Sequence, residues 1–381
     1  MDGKQALLLD IQAAQEWSRV SDEDLKADEE WVVVRDNKAY HTVHRFHPYF
    51  AMCPPPIARK AIERFSEPHE LVGDPFCGAG VTMVEAMLAG RRSVGVDILP
   101  IATFISKVKT TLVDFSLEEA QALAETIRKR VPGIDDPCVL LPPVFNMDYW
   151  FATETQRQLA AILACIREEP NSDRRDFLKL AFSSVVRPVS RAGNMEVHLH
   201  VKVGKVIPNA VKLFEARLLD MVTRERHFRR DLPVSPPEVC IYTQDSRQLG
   251  ATVGDNSIDF IFTSPPYGTG SKYASIYRLQ IELLQLSRPK RPLEVSKDFA
   301  SELTKCFVEM HRILRPGRKL AILYGTNRQF SAADVVNMAT VAGFGFERSI
   351  LCPVIDESKM VRGDYRRRVA NEHLIIMTKP V

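Results

Sequence analysis

Between Leu71 and Asp97 the chain places a short β-prone run, a glycine-rich loop, a helix-period stretch and a second β-prone run. Leu71–Asp74 predicts a strand, and Phe76-Cys77-Gly78-Ala79-Gly80 a tight loop. Thr82–Ala89 predicts a helix that Gly90 ends, and Ser93–Val96 a second strand that runs into Asp97. This is a Rossmann-like β-loop-α-β unit with an acidic residue at the end of its second strand, and it commits the chain to an α/β fold. The glycines let the backbone approach a ligand closely. The Asp97 carboxylate can accept both hydroxyls of a ribose. No Arg or Lys follows it directly, which favours a nucleoside diol over a phosphate. A dinucleotide fingerprint would need a third glycine, and Gly78-Ala79-Gly80-Val81-Thr82-Met83 lacks it.

A second loop has the same setting. The β-prone run Ile258–Thr263 leads into Ser264-Pro265-Pro266-Tyr267-Gly268, with Gly270 close behind. Proline cannot donate to a sheet ladder, so the strand stops there and the loop is stiff. The carboxyl ends of strands are where open α/β sheets bind ligands. The Ser264 hydroxyl and the Pro265 carbonyl can hold an exocyclic amine, and Tyr267 can stack on the base that carries it.

Ser264-Pro265-Pro266-Tyr267 resembles the catalytic motif of amino-methylating DNA methyltransferases. In that family Ser at the first position is typical of cytosine-N4 enzymes, and Asp or Asn of adenine-N6 enzymes. Asp74-Pro75-Phe76-Cys77-Gly78-Ala79-Gly80 resembles the family's S-adenosylmethionine loop, and Gly95-Val96-Asp97-Ile98-Leu99-Pro100 resembles its continuation. The segment from His47 through Phe65 is similar to one that lines the methionine end of the cofactor. A strand over Val239–Ser246 places Asp245 where such enzymes contact the cofactor's adenine amine. The resemblance implies a Rossmann-like class I methyltransferase sheet using S-adenosyl-L-methionine, with no metal. It implies catalytic residues Ser264, Pro265, Pro266 and Tyr267. The cofactor contacts it implies are Asp74, Pro75, Phe76, Cys77, Gly78, Gly80, Thr82, Asp97, Ile98, Asp245 and Ser246. The partner would be DNA, with a cognate restriction or defence component as a further one. The resemblance covers about residues 41–112 and 236–379.

The order of parts gives the domain plan. Residues 1–40 read as an N-terminal arm, with a helix over Lys4–Arg19 and a short strand at Trp31–Val34. Residues 41–112 form the cofactor half and 236–381 the catalytic half. Between them, 113–235 read as an inserted, mainly helical subdomain, because apolar residues recur there at helical spacing. In the resembled family an insertion at this point carries target recognition. Basic residues such as Arg174, Arg191, Lys202 and Arg229 would suit a phosphate backbone. Acidic neighbours such as Glu169 and Asp176 temper that reading in favour of a solvated charged face. Two further basic loops, Ser287–Pro292 and Lys359–Arg368, would suit a polyanion. The helix Glu302–Leu314 is expected to end at Arg315-Pro316-Gly317, before a strand Lys319–Tyr324, a helix Ala332–Ala342 and closing strands near Phe346–Ile350 and Leu374–Thr378.

Composition narrows the rest. With 381 residues, 45% hydrophobic and 26% charged, the chain can bury a sizeable core. A net charge of +3 permits nucleic acid without arguing for it. No apolar run is long enough to span a membrane, and Ala6–Leu9 is too short for the core of a signal peptide. Seven scattered cysteines suit a reducing cytoplasm. His41, His44 and His47 lack the additional ligands a metal site requires, and Pro48 interrupts them. Cys53 precedes its prolines, which argues against carbon-5 cytosine chemistry. An RNA amino-methyltransferase, an adenine-N6 enzyme and a non-catalytic nucleic-acid-binding module remain as rival readings.

Overall fold

The computed structural model describes residues 20–21, 25–35, 43–50, 52–193, 199–267, 273–288, 293, 296, 298–327, 329–356 and 369–381. The expected helix Lys4–Arg19, the loop Lys359–Arg368 and most of the loop after Ser287 lie outside these residues.

The strands are β1 (Glu29–Glu30), β2 (Val33–Arg35), β3 (Leu71–Asp74), β4 (Arg92–Asp97), β5 (Val239–Thr243), β6 (Ile258–Thr263), β7 (Leu314–Gly325), β8 (Gly345–Asp356) and β9 (Val369–Thr378). They form one sheet in the order β1-β8-β9-β7-β6-β3-β4-β5, with β2 also on β8. The centre is parallel, β5 to β4 to β3 to β6 to β7, and β9 runs antiparallel between β7 and β8. β3 has β4 on one side and β6 on the other. The strand order reverses there, which opens a crevice at the carboxyl ends of β3 and β6.

Helices cover both faces, so the central strands are apolar on both sides. Along β6, Phe260 and Phe262 pack with Ile57, Ala58, Ala61 and Ile62 of α1 (Pro55–Phe65), whereas Ile261 between them joins the opposite core. Along β7, Ala321 and Leu323 point to the α1 side, and Leu320 and Ile322 to the other. The period-two alternation of a strand thus feeds two cores at once.

α2 (Val81–Leu88) and α3 (Pro100–Thr110) follow β3 and β4. Then come α4 (Leu117–Arg130), α5 (Met147–Trp150), α6 (Thr153–Glu168), α7 (Ser172–Val189) and α8 (Ala210–Asp231), with no named strand among the described residues before β5. α4 starts at a capping box in which Ser116 and Glu119 each bond the other's backbone N–H. The core of the insertion is continuous with that of the helices on this face of the sheet. Phe177, Phe182, Phe214 and Leu218 share one apolar cluster with Ile101, Ile105 and Val108 of α3 and with Leu279 and Ile281. The last two lie on α10 (Arg278–Leu283), which follows the short α9 (Tyr273–Ile276). α11 (Phe299–Ile313) and α12 (Ala332–Val341) cover the other face.

Four expectations change. The arm is part of the sheet: β1 and β2 lie parallel to β8, and the strand expected at Trp31–Val34 divides around Trp31, whose N–H donates to the Leu351 carbonyl at 2.7 Å. Arg315-Pro316-Gly317 does not separate a helix from a strand, because β7 starts at Leu314, directly after α11, and takes in a bulge against β6. β8 and β9 are longer than expected, so Glu372 and His373 sit inside β9. Finally, many basic residues of the insertion are internally engaged. Arg174 pairs with Glu119, Arg224 with Asp220 and Arg229 with Glu225, while Arg191 donates to the Asp148 and Tyr149 carbonyls. Among the described residues no helix is long and apolar enough to cross a membrane.

Candidate active site

One cavity lies at the switch point. Its lining includes Tyr49, Phe76, Gly78, Asp97, Ile98, Asp245, Ser246, Ser264, Pro265, Pro266 and Tyr267. The two loops that the sequence singled out, far apart along the chain, therefore face one space. Phe50, Leu99, Tyr273, Leu293 and Cys306 complete it.

The loops are bound together beneath the cavity by Asp74. Its buried carboxylate accepts from Thr82 Oγ1 at 2.5 Å, from Thr263 Oγ1 at 2.7 Å and from the Phe76 N–H at 3.0 Å. Thr263 is the last residue of β6, so Asp74 joins the carboxyl ends of β3 and β6 just before Ser264. Burial pushes the Asp74 carboxyl up to about 6 against the pull of these donors. Asp74 and Thr82 thus act as braces. Pro75, Cys77 and Gly80 shape the loop from behind, with the Pro75 carbonyl accepting from Ser246 Oγ. Burial holds the Cys77 thiol well above its usual range, so it stays protonated.

Asp97 stands at the end of β4. Oδ2 accepts from the Gly78 N–H at 2.9 Å and Oδ1 from the Leu99 N–H at 2.8 Å. Each oxygen keeps acceptor capacity, which fits a pair of vicinal hydroxyls. Burial raises this carboxyl to about 6. Gly78 lies close under Tyr49: a Cβ there would stand 3.3 Å from Tyr49 Cε1. Tyr49 stacks on Tyr277 at 5.3 Å with the ring planes 7° apart, and the Tyr277 hydroxyl accepts from the Phe50 N–H at 2.6 Å.

The histidines of this segment have structural partners. His47 Nε2 lies 2.9 Å from Ser183 Oγ on α7, and burial lowers its pKa to about 4. His44 Nε2 lies 2.6 Å from Glu85 on α2. His41 lies outside the described residues.

In the second loop, Tyr267 packs its ring on Tyr324 of β7, at 4.8 Å and 20° between planes. Asn327 Nδ2 donates to the Tyr267 carbonyl at 3.0 Å and to the Tyr324 hydroxyl at 2.9 Å. Glu372 Oε1 is 3.5 Å from the Tyr267 hydroxyl. Burial drives the Tyr267 phenol far above its usual pKa, so it remains neutral. Gly268 and Gly270 lie outside the described residues. Tyr324 and Asn327 were not singled out from the sequence as site residues, because nothing in their spacing ties them to a loop near residue 264, and Glu372 stands in Asn371-Glu372-His373, which resembles the family without being tied to that loop. Only the pairing of β7 with β6 and β9 brings them there.

Asp245 lines the cavity, but its carboxylate is already held by Arg247, whose Nε lies 2.8 Å from Oδ1 and 3.0 Å from Oδ2.

Comparison with known proteins agrees with this geometry. Residues 4–105 match the family model described as DNA methylase, a span that takes in the arm as well as the first loop. The chain is 30% identical over 266 residues to a Type II methyltransferase, M.MvaI, of Kocuria varians, covering 64% of this chain and 58% of that protein. It is 22% identical over 280 residues to the Type II methyltransferase M.BsoBI of Geobacillus stearothermophilus, covering 67% of this chain and 54% of the other. The chain thus spans little more than half the length of the curated relatives it matches. Among solved structures, a SAM-dependent methyltransferase from Methanosarcina mazei aligns over 84% of this chain and 97% of its own at 10% identity and a TM-score of 0.37, too distant to bear on function. The segment 4–105 is thus similar to DNA methylases, and the relatives that the chain matches over little more than half their length are Type II methyltransferases.

Proposed function

We propose that this chain methylates the exocyclic N4 amine of a cytosine turned out of DNA. The observation that carries the reading is the convergence of Ser264–Tyr267 and Asp97 with Gly78 on one cavity at the switch point. When bound, the cofactor supplies an electrophilic methyl group on a sulfonium. Asp97 would hold its ribose hydroxyls, Gly78 and Tyr49 would line the methionine side, and Phe76, Ile98, Asp245 and Ser246 would enclose its nucleoside. The Ser264 hydroxyl and Pro265 carbonyl would accept hydrogen bonds from the amine's N–H groups and keep its lone pair aimed at the methyl carbon. Tyr267, braced by Tyr324, would stack on the base, with Phe76 on the cofactor side. This is catalysis by position and orientation, with no covalent intermediate on the protein. Turning the base out of a duplex costs a few kcal/mol, which stacking on Tyr267 would offset. Ser264 in the first motif position supports cytosine, and the insertion at 113–235 is proposed to carry target recognition.

The test is incubation of DNA with the full chain and methyl-labelled S-adenosylmethionine, followed by nucleoside mass spectrometry. Label in N4-methylcytosine is expected. Label in N6-methyladenine would overturn the base assignment, and label confined to RNA would overturn the substrate.

Acid should weaken cofactor binding. The diol is accepted by the ionised Asp97, whose carboxyl titrates at about 6. Affinity is therefore expected to be level above pH 7 and to fall by up to ~10-fold per pH unit below 6 as that carboxylate takes up a proton. Calorimetric titration from pH 5 to 8 checks this. Asp97→Asn should bind weakly with no such slope, and an Asp97→Asn chain that retained the slope would exclude Asp97 as its source.

A further inference from the structure

We propose that Arg247 is a positioning residue of the cofactor site. It fixes the Asp245 carboxylate so that a single acceptor position can be yielded to the exocyclic amine of a bound adenine. The inference rests on the cofactor reading above and adds a residue to it.

Asp245 stands two residues beyond β5, on the cavity wall. An acid at a strand end is ordinarily free to turn about two side-chain bonds. Here it is not. The Arg247 backbone N–H donates to Oδ1 at 3.0 Å. Arg247 Nε bridges both oxygens, at 2.8 Å to Oδ1 and 3.0 Å to Oδ2, and Nη2 also donates to Oδ2. A carboxylate offers about four lone-pair sites. Three N–H groups already engage it through four contacts, the Nε hydrogen being shared between the two oxygens, so one further N–H can enter only by taking over one arm of that shared bond. The arginine is itself anchored, since Nη1 donates to Glu302 on α11. Only 15% of the Arg247 side chain is exposed. The turn is pinned further by the Gln248 N–H on the Asp245 carbonyl at 2.9 Å and by the Leu249 N–H on Glu309 at 2.7 Å. α11 therefore holds Arg247, Arg247 holds Asp245, and Asp245 faces the cavity.

A planar fork fixes a carboxylate's plane in a way that a point charge cannot. Such a device is costly in exposed surface and side-chain freedom if its only effect is stability, since partly exposed ion pairs contribute little. It is well matched to reading one amine proton.

The experiment compares two ligands by calorimetry on the full chain. One is S-adenosylmethionine. The other is the analogue that carries hydrogen in place of the adenine 6-amino group. The wild type is expected to prefer the amine by ~10-fold or more, the usual effect of a hydrogen bond to a charged group. In Arg247→Met that preference should collapse towards one, with affinity for the analogue little changed. Arg247→Lys, which keeps charge without the fork, should also lose most of it. Arg247→Met with the wild-type preference overturns the proposal, whatever happens to its melting temperature. If Arg247→Met does not fold, Glu302→Gln takes its place: a reduced preference supports the proposal and an unchanged one overturns it. A wild type that binds neither ligand overturns the cofactor reading itself, and this inference with it.

Discussion

Tyr267→Ala is expected to slow methyl transfer to DNA by ~10²-fold or more while leaving affinity for S-adenosylmethionine close to wild type. The Tyr267 ring rests on Tyr324 at 4.8 Å, its carbonyl is held by Asn327, and its hydroxyl lies near Glu372. Cutting it back to Ala leaves that frame standing and removes the surface on which the base would lie. Ser264→Ala should give a similar loss of rate, because the amine would then be held by the Pro265 carbonyl alone. Single-turnover transfer of labelled methyl, with cofactor binding measured in parallel, separates rate from affinity. A Tyr267→Ala chain that transferred at the wild-type rate would remove the second loop from the reaction. Equal loss of cofactor binding would make the loop a cofactor element.

The second large effect concerns stability. Gly80 precedes α2 at φ +80°, in the left-handed region, and a Cβ there would stand 2.4 Å from Ser106 Oγ and 3.0 Å from Ser106 Cα. Backbone atoms of α3 cannot move aside without shifting the helix. Gly80→Ala should therefore cost about 2–4 kcal/mol, from strained backbone and overpacking together, and should weaken cofactor binding. Gly133→Ala is the matched control, since nothing lies within 4 Å of its added Cβ. Urea denaturation of both variants measures the difference. Equal midpoints would show that the loop can relax around the new methyl group.

The chain thus carries its chemistry in short local signals and its site in long-range ones. Asp74, the glycines after it and Asp97 lie within one β-loop-α-β unit, where turn chemistry and strand ends are set by neighbours in sequence. The same holds for Ser264–Tyr267, because two prolines stop a strand wherever they occur. These features were legible in the sequence, as was the helical character of residues 113–235, whose apolar spacing follows the turn of a helix. Other features were not. The arm reads as a charged stretch with a short β-prone run, and only the edge of β8 turns it into β1 and β2. The insertion's helices pack on one another, and only the folded chain shows that their apolar cluster continues into α3 and α10. Asp245 reads as a bare acid, and the fork of Arg247 with Glu302 behind it exists only once α11 is packed.

By itself the sequence determined which residues could bind a nucleoside diol and which could hold an amine. A hydrogen-bonding group, a glycine's freedom and a proline's missing N–H are properties of the residue and its immediate neighbours. Only the tertiary structure decided that the two groups share one cavity. That follows from β3 and β6 lying side by side at the reversal of strand order, locked by Asp74 on Thr263 at 2.7 Å. The order of strands in a sheet is chosen by which faces can be buried together, and no local pattern in either loop specifies it.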